Sequence, residues 1–159
     1  MNRIQKTFIL IAALAVPAAA HSTFAPAKQN LCFASGATTY QLARDAAAPD
    51  FRIKIAASAD RPDLRMQLVD SAEIADFVLV DDFSADEPAP CRSVTPVRTV
   101  ALDADAAKPD VTVRLSAAAG TSDYRIYVHS VRFSQQDAAA ILAAMWKTNQ
   151  QREATGSIR

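Results

Sequence analysis

His21 and His129 are the only imidazoles in the chain, and Cys32 and Cys91 the only thiols. Metal, nucleophilic or redox chemistry would therefore have to be built around these positions and the carboxylates near them. If removal of an export leader leaves His21 first, its α-amine and imidazole can chelate one copper ion, with His129 as a third nitrogen. His129 also has an ordinary reading. Flanked by Val128 and Ser130 and one residue from Tyr127 on a strand, it fits a half-buried histidine hydrogen-bonded to a neighbour. The ordinary reading is the simpler one, so the expectation contains no metal, no cofactor and no catalytic set. Copper at His21 and His129, or an enzyme using His129 with Tyr127, stands as the alternative.

Other constellations fail on spacing. The glycines are Gly36, Gly120 and Gly156, which cannot build GxGxxG or a phosphate-binding P-loop. Ser35 precedes Gly36 without the GxSxG setting of a nucleophile elbow. Asp103, Asp105 and Asp110 suggest a hard-cation loop, but an EF-hand beginning at Asp103 needs glycine where Lys108 stands and glutamate where Arg114 stands. The cluster reads as a solvated hairpin connection, and Asp81, Asp82, Asp86 and Glu87 as solvated loop. Cys32 and Cys91 are not a CxxC pair. In an oxidising compartment they are expected to form a disulfide, which leaves no thiol for catalysis.

The compartment follows from the N-terminus. Arg3 and Lys6 precede the apolar run Phe8 to Val16, then Pro17 and three alanines, the pattern of a secretory signal peptide over residues 1–20. Its apolar core is too short for a transmembrane span. Without it, 15 of the 17 basic residues remain against 17 acidic ones, a formal charge of −2, and nothing there attracts nucleic acid. The remaining 139 residues suit one domain, 32–148, after an extended lead-in, 21–31, and before a polar disordered tail, 149–159.

The elements are read from periodicity. Phe51–Ala56, Leu64–Val69, Val111–Ser116 and Tyr124–His129 alternate apolar and polar residues as half-buried strands do. Thr38–Arg44 leans towards strand, and Val97–Leu102 follows the long proline-containing loop 83–96. Phe77–Val80 is uniformly apolar and reads as a central strand buried on both faces. Ser71 caps a single helical turn over 72–75. Ser134 and Asp137 form a capping-box-like start to the only long helix, whose Ala138, Ile141, Leu142, Met145 and Trp146 make one stripe. No repeat is visible at a solenoid period.

These elements predict a two-layer α+β domain, with an antiparallel or mixed sheet of about five to seven strands covered on one face by the helix. On β-strand 124–129, Arg125, Tyr127 and His129 share the outer face and form the candidate interaction surface. The functional expectation is an exported, non-enzymatic binding or accessory domain of the bacterial envelope, periplasmic or secreted, whose partner is an envelope protein or a small ligand.

Overall fold

The computed structural model describes residues 31–43, 46–80 and 96–156. They form β1 (Leu31–Ser35), β2 (Thr38–Leu42), β3 (Phe51–Ile55), β4 (Leu64–Leu68), β5 (Phe77–Val80), β6 (Val97–Leu102), β7 (Val111–Ser116), β8 (Tyr124–His129) and α1 (Gln135–Gly156), with a single 3-10 turn at Ala72–Ile74. The sheet is mixed, in the order β1-β2-β6-β3-β7-β4-β8-β5. β1 and β2 form an antiparallel hairpin turned at Gly36, whose φ of 57° lies in the left-handed region that glycine adopts without a Cβ clash. All other pairings are parallel.

The strands of the two chain halves interleave: β6, β7 and β8 fill the gaps between β2, β3, β4 and β5. The register explains how. Ile55, ending β3, and Leu64, opening β4, both sit level with Val113 of the intervening β7. Leu42 and Phe51 flank Val100 in the same way, and Leu68 and Phe77 flank Ile126. Each strand therefore begins at the height where its predecessor stopped, two strand spacings (about 9.6 Å) away. Parallel strands normally need a crossover of a dozen or more residues to return to the starting edge. Here no return is needed, and residues 56–63 suffice, with slack to arch over the strand between.

This geometry has a 13-residue period. Asp50, Asp63 and Asp76 stand 13 apart in one half, and Asp110 and Asp123 in the other, each immediately before a strand. The stagger leaves one residue near the start of each neighbouring strand without a ladder partner on the side of the strand that the aspartate precedes, and these carboxylates supply one. Asp63 Oδ2 accepts from Thr112 N at 2.7 Å, Asp110 Oδ2 from Arg52 N at 2.7 Å and Asp123 Oδ2 from Arg65 N at 2.7 Å. Asp50 and Asp76 do the same for Thr99 N and Arg125 N, each at 2.8 Å. In return, the Asp63, Asp76, Asp110 and Asp123 amides donate to the carbonyls of Thr112, Arg125, Arg52 and Arg65. This period is shorter than those of solenoids, the range in which no repeat was expected.

The sheet curls until its ends meet. β1 and β5 are the outermost strands in the hydrogen-bonded order, yet the Phe33 and Phe77 ring centroids lie 5.9 Å apart. A two-residue offset at every step between the parallel strands, about 6.6 Å against a 4.8 Å spacing, tilts them steeply and widens the curl. The space inside holds α1. Residues 137–144 are all buried, so these two turns are enclosed around their whole circumference. Five of the eight are alanine, which lets strand backbones approach closely. One inward residue of each of β2 to β8 (Tyr40, Ile53, Met66, Leu79, Val100, Val113 and Ile126, 13 apart within each half) is buried in the core with the helix.

Several expectations are corrected. The strands number eight rather than five to seven, because Leu31–Ser35, read as lead-in and domain entry, pairs with β2. Phe77–Val80 is not central. It closes one end of the sheet, with Val78 and Val80 exposed. A run of apolar residues does not distinguish burial on both faces from an outward face left apolar. The helix covers one face of the sheet, the inner one, as expected, but it continues through residues 149–156, where a polar disordered tail was expected. The Asp103–Asp110 segment is a parallel crossover, not a hairpin connection. Other expectations hold. Ser71 Oγ accepts from Glu73 N, and the helix start is a reciprocal box: Asp137 N donates to Ser134 Oγ at 3.1 Å while Asp137 Oδ2 accepts from Ser134 N at 2.9 Å. No helix is long and apolar enough to cross a membrane among the described residues.

Candidate functional site

With residues 137–144 of α1 inside, the exposed surface comprises the outer face of the sheet, the crossovers that arch over it and the end of α1 at residues 149–156. Right-handed connections that all advance in one direction lie on one side of a sheet. The 3-10 turn accordingly packs on β8, and residues 118–122 lie beside the outward residues Arg65 and Gln67 of β4.

β8 projects Arg125, Tyr127 and His129 outward, as their alternation with Tyr124, Ile126 and Val128 predicts. The Tyr127 and His129 rings stack, with centroids 6.5 Å apart and planes within 5°. Across the parallel pairing, Val78 sits beside Tyr127 and Val80 beside His129. These valines are 41% and 50% exposed. Arg125 is engaged differently: its Nε and Nη2 donate to the two carboxylate oxygens of Asp76 at 3.1 and 3.0 Å. That fork, with the Arg125 backbone N–H, holds the Asp76 carboxyl down at about 2. The sequence-derived trio is therefore brought onto one face, but its arginine is a fastener of the 69–76 crossover. The contact strip consists of Tyr127, His129, Val78 and Val80. The valines were missed because only strand order places β5 beside β8.

A second feature lies under the 117–122 crossover. Arg65 on β4 and Arg114 on β7 are register partners, as are Gln67 and Ser116. With Ser122, Thr121 and the small residues Ala118, Ala119 and Gly120, they line a half-open cavity of about 240 Å³. The ion pairs among the described residues, Arg52–Asp103, Arg98–Asp50 and Arg125–Asp76, include neither Arg65 nor Arg114. Alternation alone marks both as outward-facing. Their juxtaposition depends on β4 and β7 being neighbours, which no local pattern encodes.

The acidic turn does not converge on a cation. Asp103 Oδ2 accepts from Arg52 Nη1 at 3.2 Å, its Oδ1 from Asp105 N at 3.1 Å, and Asp110 Oδ2 from Arg52 N. At Asp50, partial burial pushes the carboxyl up, but bonds from the Thr99 N–H and hydroxyl and from Arg98 outweigh it and leave it lowered. Among the described residues no group of three His, Cys, Asp or Glu side chains could hold a metal ion. His21, Cys91 and the acidic stretch 81–87 lie outside the described residues, and Cys32 lies on β1. No family model, curated protein or solved structure matches this chain.

Proposed function

We propose that the protein is an exported, non-enzymatic binding domain of the bacterial envelope, and that it engages a partner protein through the outer strip of β8 and β5. The observation that carries this reading is the pairing of two exposed valines with a stacked Tyr127–His129 pair at the end of the sheet. Tyrosine is enriched at interface centres, and neighbouring exposed apolar side chains add area that a partner can remove from water. The Arg125–Asp76 fork at its border fixes the strip's backbone without leaving an unpaired charge.

The leader over residues 1–20 assigns the compartment, periplasmic or secreted, and the Cys32–Cys91 disulfide belongs to that assignment. The test is photo-cross-linking in the native cell, with the reactive residue at Val78 or Tyr127 and a control at Lys54. Adducts of one common mass from both strip positions, absent from Lys54 and lost in V80E, support the reading. No adduct, or the same adduct from Lys54, overturns it. Cell fractionation that finds the chain unprocessed in the cytoplasm removes the envelope assignment.

A further inference from the structure

We infer that the cavity under the 117–122 crossover is a binding site for a small multivalent oxyanion, of the class of phosphate or a short dicarboxylate. Two arginines, Arg65 and Arg114, are register partners on neighbouring parallel strands, and both line the cavity. Like charges in that position repel, and no carboxylate lines the cavity to neutralise them. Elsewhere on the same outer face the arrangement differs: Arg52, Arg98 and Arg125 each have an aspartate within 3.2 Å. The two nearest aspartates of the 13-residue series are committed to backbone, Asp63 to Thr112 N and Asp123 to Arg65 N. Arg65 and Arg114 are thus the guanidiniums of the sheet's outer face left for an external anion among the described residues.

The rest of the lining suits the same ligand. Gln67, Ser116, Thr121 and Ser122 offer neutral donors, and planar guanidinium forks match carboxylate and phosphate oxygens in pairs. At about 240 Å³ the cavity falls below the ~300–1,000 Å³ of sites for drug-sized molecules, so it takes a small anion or the charged end of a larger one. Ala118, Ala119 and Gly120 bring the crossover over the arginines without a bulky side chain to fill the space. This site is distinct from the β8–β5 strip, and its failure would leave the partner reading untouched.

Isothermal titration at fixed ionic strength with inorganic phosphate and, separately, with succinate tests it. Saturable binding of either, weakened roughly tenfold or more in R65Q and in R114Q and unchanged in R98Q, is the expected result. Phosphate and succinate behaving differently assigns the oxyanion type. The absence of saturable binding of both to the folded protein overturns the inference, as does binding that survives in R65Q and R114Q. Circular dichroism and a cooperative thermal transition for each variant separate loss of the site from loss of the fold. Binding should weaken as salt is raised.

Discussion

Replacing Asp63 with alanine tests the clasp that makes the interleaved sheet possible. The substitution removes the acceptor of the Thr112 N–H, now 2.7 Å from Asp63 Oδ2, while the reciprocal bond from Asp63 N to Thr112 O at 2.8 Å remains. A carboxylate accepting from a backbone amide at the start of an element is worth about 1 kcal/mol, within a range of roughly 0.5–2. With a urea dependence of about 2 kcal/mol/M for a domain of this size, the unfolding midpoint should fall by about 0.5 M without a change in slope. D63N retains a neutral acceptor and should fall by about half as much. Asp60 lies in the same crossover, exposed and outside the 13-residue series, and D60A should leave the midpoint within about 0.2 M. Equal midpoints for D63A and D60A would refute the reasoning, because the carboxylate would then be one more solvated loop charge.

Other outcomes follow from the same structure. Asp76, held at about 2 by Arg125, and Asp50, also lowered, have folded values below their unfolded ones. Their contribution is fully present above the ordinary carboxylate range and is lost as pH falls from about 4 towards 2. Denaturant unfolding between pH 6 and pH 2 should show stability dropping in that window, and D76N should flatten part of the drop. Inside the curl, I141A should cost about 2–5 kcal/mol as a cavity. A140L, at a fully buried alanine, should cost about 1–3 kcal/mol by overpacking, both read from urea midpoints. Non-reducing peptide mapping should join Cys32 to Cys91, and reduction should lower stability by about 4 kcal/mol on loop-closure entropy. Two free thiols in the exported protein would contradict that pairing.

Local alternation carried much of this fold. β3, β4, β6, β7 and β8 coincide with their sequence-read segments to within a residue, because apolar and polar residues alternate where one face meets a core. Ser134 and Asp137 announced the helix start with a capping pattern that needs only three residues of context. What local pattern cannot convey is which strand lies beside which. Phe77–Val80 has a buried strand's composition yet ends the sheet, and Arg65 and Arg114 are 49 residues apart in sequence but adjacent in space. The aspartate period was present in the chain but went unread, since a 13-residue spacing is shorter than one solenoid repeat and the half-sets are separated by the 81–95 segment. The helix stripe was only part of the truth. Alanines on the remaining faces are compatible with water or with a close-fitting enclosure, and only the curl selects the second.

The most direct test of the account is whether the sheet closes around α1, since closure is what makes the outer face the working surface. Nuclear Overhauser spectra of the folded protein should connect the ring protons of Phe33 and Phe77 and join the Ile141 methyls to core residues of both chain halves. Rings without a cross-peak, together with rapid solvent exchange of the amides at 138–144, would show an open sheet and remove the basis for both proposed sites.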